Sequence, residues 1–324
     1  MKKQFKDKII AIYGASLIRH GHFISYMRSY MMDQEEKCYV FNRGVGGNTA
    51  FIGLKCLEDE ILTLKPDVVI FTYSGNDMGI WLYDANKEET EELIAKRRAR
   101  NETYFKSLED IIIKLKENGI TPIIGTPFPY NENIERREDV KTLADNKEKE
   151  DYIGPSFYTP ETFTKLNKAL SEFGVKIKEL AKKHDIDVID IFAGINKIMP
   201  KNSVNYIRDG IHYTPEGHKY AAKVFLEYLG YENVGLEFKQ NDKVDEIREV
   251  EELLRMIQFV RRPYFLPDNK LSEREIVDKF IKEADGSPYP FIVAKAEAVK
   301  NHFDDFEQLR EKEKKLILSM FDEK

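Results

Sequence analysis

A serine hydroxyl is a poor nucleophile until a base takes its proton, and the base works best when a third group fixes its tautomer. This chain carries those three residue types. Ser16 ends an apolar run near the N-terminus, and far downstream Asp209-Gly210-Ile211-His212 sets a carboxylate three residues before an imidazole. Across a short turn, or the first turn of a helix, Asp209 is expected to reach the His212 ring. An imidazole titrates near neutrality and so suits taking and returning a proton. Between them stand Gly47, whose backbone can approach a ligand with no Cβ in the way, and Asn76, an uncharged amide donor. Each fixed donor aimed at the oxygen of a tetrahedral intermediate is worth roughly 3–4 kcal/mol of barrier. The chemistry these residues suggest is acyl transfer, with Ser16 as nucleophile, His212 as base and Asp209 as its orienting acid. Gly47 and Asn76 would supply donors to the oxyanion. It needs no metal and no cofactor.

Such residues act together only if the fold gathers them. KIIAIYGAS (8–16) is an apolar strand ending in a glycine turn at Ser16. CYVFNRGVGG (38–47), PDVVIFTYSGND (66–77) and TPIIGTPFP (121–129) repeat the pattern of strand then polar loop, and DIDVIDIF (185–192) is a fifth strand. Helices are expected over 22–34, 50–64, 87–118 and 160–184. TPEGHKYAAKVFLEYLG opens at a Thr-Pro helix start and stops at Gly230. Ile- and Val-rich strands alternating with helices predict right-handed βαβ units, hence an α/β fold with a parallel five-stranded sheet covered on both faces. Ligands bind such sheets beyond the carboxyl ends of the strands. Ser16, Gly47, Asn76 and the TPFP loop all follow strands, so all are expected on one rim.

Two segments depart from this rhythm. Residues 131–157 are highly charged and contain Asn131, Asn133, Gly154 and Pro155. They are expected to be an insertion, either a lid or a plain surface loop. From about 235 the βα alternation stops, which divides the chain into 1–234 and a helical extension, 235–324. Its amphipathic helices are expected at 242–261, 271–285 and 290–322. The extension holds no catalytic constellation. It would cap the rim, pad the sheet or pair two copies into a homo-oligomer.

Composition narrows the class. The chain has 324 residues, 33% of them charged, and a net charge of -6 from 51 basic and 57 acidic residues. That balance argues against a general nucleic-acid binder. No apolar stretch reaches the ~20 residues of a membrane span. Lys2, Lys3 and Lys8 before the apolar run Ile9–Ile18 give a superficial likeness to a short signal peptide. The run contains Ser16, however, and Arg19 and His20 close it without a small-residue cleavage site, so a cytoplasmic protein is expected. Cys38 and Cys56 lack metal-ligand spacing and are expected to be buried free thiols.

Taken in order, GAS, NRGVGGNT, SGND and DGIHYTPEGH resemble the four blocks of the SGNH (GDSL-type) hydrolases, over residues 14–218. The resemblance implies a three-layer, flavodoxin-like, doubly wound sheet. It assigns the nucleophile and one oxyanion N–H to Ser16, further oxyanion donors to Gly47 and Asn76, and the acid and base to Asp209 and His212. Two positions depart from the family pattern. Ala15 stands where an acidic residue usually precedes the serine, and Ser74 stands where the third block usually begins with glycine. The resemblance implies a serine esterase acting on a small-molecule ester, a carbohydrate O-acetyl or another short-chain ester. A lysophospholipase or thioesterase is the alternative within the family. Ala15 and Ser74 also fit a degenerate, non-catalytic protein that binds a carbohydrate or a partner.

Plainer roles suit several neighbours. Gly44, Gly46 and Gly47 fail the dinucleotide-loop pattern because Thr49 takes its third glycine position. Asp77 is expected to bond nearby backbone, and His218 to pack or lie at the surface. His20 and His22 follow the nucleophile loop and are candidates to line the pocket. His184 and His302 are expected to be exposed. Tyr73, Trp81, Phe128, Tyr130, Tyr206 and Tyr213 lie near strand ends and motif loops, where rings serve the core or stack on a ligand.

Overall fold

In the computed structural model, residues 1–134, 157–200, 205–287 and 289–322 are described. The charged insertion expected at 131–157 falls outside them from 135 to 156. Strands β1 (Ile9–Gly14), β2 (Tyr39–Gly44), β3 (Val68–Thr72), β4 (Thr121–Gly125) and β5 (Asp187–Ile189) form one sheet in the order β2-β1-β3-β4-β5. Every pairing is parallel. The fifth strand is shorter than DIDVIDIF suggested. The Asp190 side chain accepts the Ala193 N–H and starts a helix there, so Ile191 and Phe192 leave the sheet.

Side chains alternate across each strand and so feed two cores. Ala11, Tyr13, Phe41, Val69, Phe71 and Ile124 face α3 (Ala50–Leu57), α5 (Glu91–Glu117) and α6 (Pro160–Lys183). Ile10, Ile12, Val40, Val68, Ile70 and Ile123 face α2 (His22–Asp33), α7 (Ile191–Ile198) and α8 (Pro215–Leu229). The helix expected over 50–64 is α-helical only to Leu57 and widens into a π turn at Glu58–Leu62. The long charged helix begins at Glu91, where Thr90 accepts the Leu93 N–H as a cap. No helix among the described residues is long and apolar enough to cross a membrane.

The tail folds as α9 (Asp242–Arg261), α10 (Glu273–Ala284), α11 (Pro290–His302) and α12 (Phe306–Leu318) around a small apolar cluster of their own. The single helix expected over 290–322 is thus two, and the break falls at Phe303–Asp305. Helices α9 and α12 lie against β2, the strand at the edge of the sheet.

An edge strand leaves every second peptide unpaired, and an unpaired buried peptide is costly. Here buried side chains complete it. Arg28 donates Nε and Nη2 to the Val40 carbonyl, at 2.9 and 2.6 Å. Glu251 of α9 accepts the Asn42 N–H at 3.0 Å and pairs with Arg28 at 2.5 Å. Arg43 pairs with Glu313 of α12, Glu60 with Arg255 of α9, and Arg310 with Asp59 and Glu60. Removing one partner of a buried pair leaves an uncompensated charge, at roughly 3–5 kcal/mol. The seam between tail and sheet is therefore built from matched charges as well as apolar contacts.

Candidate active site

Ser16 is the first residue of a short helix, α1 (Ser16–Arg19), that begins one residue after β1 ends. At that position its backbone N–H has no intrahelical acceptor. The 205–213 loop returns to the same rim, closed by an isolated bridge between Ile207 and Tyr213. Gly210 turns it at φ +83°, and a Cβ there would lie 2.4 Å from the Phe163 ring, so both conformation and space call for glycine.

Within this loop Asp209 binds the imidazole as its spacing foretold. Asp209 Oδ1 accepts the backbone N–H of Ile211 at 3.0 Å and of His212 at 2.7 Å. Asp209 Oδ2 lies 2.8 Å from His212 Nδ1, and His212 Nε2 lies 3.0 Å from Ser16 Oγ. An ionised carboxylate only accepts, so Nδ1 carries the proton and Nε2 is left to accept from the serine hydroxyl. Burial pushes the Asp209 carboxyl up, but the His212 ring and the two backbone N–H groups outweigh it. They hold it well below the usual carboxylate range.

Ser16, His212 and Asn76 line one cavity of about 90 Å³, together with Leu17, Ile80 and Tyr130. Asn76 lies in a four-residue helix, α4 (Gly75–Met78), and its Nδ2 donates to the Asn48 carbonyl at 2.9 Å. Arg100 of α5 donates to the Asn76 carbonyl at 2.7 Å and to the Asp77 carbonyl at 2.9 Å. Gly47 does not line the cavity. It is exposed on the neighbouring loop, at φ +73°, next to the Asn48 that Asn76 binds. Strand β1 anchors the start of that loop, where Val45 N–H donates to the Gly14 carbonyl at 3.0 Å.

The remaining expectations sort by packing. Asp77 is buried and accepts the Ala50 N–H at 2.6 Å. Its second oxygen has no partner, and burial pushes the carboxyl up to about 8. His20 packs edge-on against His212, with ring centres 5.3 Å apart, and burial, His212 and Arg19 push it down to about 3. His22 sits beside the fully buried His218. Neither His20 nor His22 lines the cavity. His184 and His302 are half-buried rather than exposed; Glu109 binds the His184 ring, and His302 is the last residue of α11. Tyr73, Phe128 and Tyr130 line the cavity, and Tyr213 is buried beneath it, donating to the Pro129 carbonyl. Cys38 and Cys56 are free and buried, and burial raises Cys38 to about 12.

Arg100 and Arg262 were not foreseen. The first is one cation in the KRRAR run of α5 and the second follows α9 in the tail. Nothing in their sequence surroundings singles them out.

A family model described as the GDSL-like lipase/acylhydrolase family matches residues 23–220. Among solved structures, a gut microbial diltiazem-metabolizing enzyme is similar over nearly the whole length, with 99% of this chain and 96% of that one covered, TM-score 0.71 and 15% identity. An acetylxylan esterase from Geobacillus stearothermophilus covers 71% of this chain and 97% of its own, at TM-score 0.51 and 18% identity. At these identities the likeness is one of fold. No curated protein is similar enough to the chain to match it.

Proposed function

Since this chain belongs to the GDSL-like lipase/acylhydrolase family, and so is a GDSL-type serine ester hydrolase, we propose that Ser16, His212 and Asp209 are its catalytic triad and that it removes short acyl groups, acetyl foremost, from a carbohydrate. One observation carries the triad: a single imidazole bridges the Ser16 hydroxyl at 3.0 Å and the Asp209 carboxylate at 2.8 Å.

His212 Nε2 takes the Ser16 proton as Oγ bonds to the ester carbonyl carbon, and the carbonyl electrons move onto oxygen. The Ser16 and Gly47 N–H groups and the Asn76 amide receive that oxyanion. An amide nitrogen has two hydrogens, and Asn48 takes one of them, which leaves one for the ligand. The oxyanion then collapses, the C–O bond to the alcohol breaks, and the imidazolium gives its proton to the leaving oxygen. Water, deprotonated by the same nitrogen, cleaves the acyl-enzyme. Asp209 stays ionised throughout and stabilises the imidazolium.

The cavity supports the short acyl group. About 90 Å³ beside Ser16 admits a few heavy atoms and not a fatty chain. A larger cavity of about 480 Å³ shares Tyr130 with it and is lined by Asn131, Asn133, Asn167 and Asn196 among aromatic rings. Amides and rings suit a sugar leaving group. The acetylxylan esterase with a similar fold acts on such an ester, which supports the same class here. Unpaired buried cysteines support a cytoplasmic enzyme. Hydrolysis of aryl acetate and aryl octanoate by wild type and Ser16→Ala tests the proposal. Ser16→Ala is expected to lose at least ~10³-fold in kcat on the acetate, and wild type to prefer acetate. Equal rates for the two proteins would end the triad assignment, and a preference for octanoate would end the short-acyl one.

A further inference from the structure

Resting on that assignment of Gly47 as an oxyanion donor, we propose that Arg262, in the helical tail, is a positioning residue for the reaction. It aims the Gly47 N–H by holding the other end of the same peptide.

Arg262 opens a 3-10 turn, Arg262–Phe265, directly after α9. Its Nη1 donates to the Gly46 carbonyl at 2.8 Å and lies 3.5 Å from Asn48 Oδ1. The Gly46 carbonyl and the Gly47 N–H belong to one planar, trans peptide, so they point in opposite directions. Pinning the oxygen therefore sets the heading of the N–H. Two glycines in succession, the second at φ +73°, leave this peptide little else to hold it. A donor on the carbonyl also polarises the peptide and strengthens the N–H at its far end. The guanidinium lies behind that dipole, on the side that favours negative charge in front.

The way Arg262 is held sets it apart from the other arginines of the tail. Arg255, Arg261 and Arg310 pair with Glu60, Asp59 and Glu273. Among the described residues Arg262 meets no carboxylate. It stacks on Phe259, with Cζ 4.2 Å from the ring centre, and burial lowers its pKa. A half-buried cation without a carboxylate is a poor device for stability alone. Helix α9, which leads into Arg262, also reaches the serine side of the site, where its Glu252 pairs with Arg19 of α1. The third donor is held from within the sheet region, where Arg100 takes the Asn76 carbonyl. The tail thus touches the Ser16 helix at Arg19 and holds the Gly46–Gly47 peptide, while α5 holds Asn76. The family match, 23–220, stops before α9.

The test uses full-length Arg262→Met, which keeps apolar bulk on Phe259, and Arg262→Lys, which keeps a donor. Steady-state hydrolysis of an aryl acetate is measured with and without added guanidinium ion, alongside thermal unfolding. Misaiming one donor is expected to lower kcat of Arg262→Met by roughly 10- to 100-fold, with KM within about threefold. Millimolar guanidinium is expected to restore part of kcat to Arg262→Met and none to wild type, and Arg262→Lys is expected to fall between the two. Wild-type kcat in Arg262→Met would overturn the inference. So would a loss of kcat that follows a fall in the unfolding midpoint and that neither lysine nor guanidinium repairs, because that pattern marks a structural role. Ser16→Ala separates the two claims. If it is inactive while Arg262→Met turns over normally, the triad stands and the arginine's role falls. If it is active, the triad falls first.

Discussion

The proposed catalytic cluster and the seam between sheet and tail both set carboxylates against nitrogen donors, yet they are built oppositely. At the cluster one carboxylate meets a neutral imidazole, and both are partly open to solvent, with the His212 side chain 30% and the Asp209 side chain 28% exposed. At the seam Arg28, Arg43, Arg255, Glu60, Glu251 and Glu313 are all at most 5% exposed. A group that must gain and lose a proton needs access to water and substrate. A group that only joins two surfaces works better without either. Partial exposure thus suits the proposed chemistry, and full burial in matched pairs suits architecture.

Three substitutions would break or sharpen that contrast. His212→Ala strikes the cluster and is expected to lower kcat by at least ~10³-fold while leaving the unfolding free energy within about 1 kcal/mol. Ester hydrolysis and urea unfolding check the two halves, and a large loss of stability would show that the ring is structural. Glu251→Ala strikes the seam. It strands Arg28 and the Asn42 N–H, and is expected to reduce unfolding free energy by about 3–5 kcal/mol. Activity per folded molecule at low temperature should change far less than for His212→Ala.

Asp77→Asn is the finest probe, since this residue is buried like the seam but lacks a charged partner at hydrogen-bond distance. The folded carboxyl keeps its proton up to about pH 8 because burial penalises its ionised form. An unfolded aspartate releases its proton near pH 4. Between those values the folded state binds more protons, so stability falls as pH rises through the window. Asparagine keeps an acceptor for the Ala50 N–H and has no charge to bury. It is expected to raise the unfolding midpoint by several degrees at pH 8.5 and by less at pH 5. Equal shifts at the two pH values would mean that Asp77 is ionised in the fold.

The same contrast explains what could be read in advance. Asp209 and His212 are three residues apart, so local geometry alone brings them together. Ser16 and Asn76 follow strands of a parallel sheet, where topology brings them to the same rim. The continuous apolar runs of β1, β3 and β4, buried on both faces, and the Thr214 and Gly230 boundaries of α8 were legible in the hydrophobic pattern and the helix-end residues. The seam was not legible. Arg28 and Glu251 are 223 residues apart, and Arg262 and Gly46 are 216 apart. Nothing local distinguishes those arginines and glutamates from the many that stay in water, in a chain with 33% charged residues. The shortening of β5 and the break between α11 and α12 were missed because caps and chain reversals depend on neighbours as well as on hydrophobic pattern.

The completed edge of β2 carries a practical warning. A fragment cut after residue 234 would still contain the proposed triad and all three proposed oxyanion donors, and it would look like a tidy minimal enzyme. It would also uncover a sticky strand flanked by stranded cations, ready to recruit the same strand of another molecule. Trimming the chain to its recognisable motifs would yield a protein that clumps before it can be assayed.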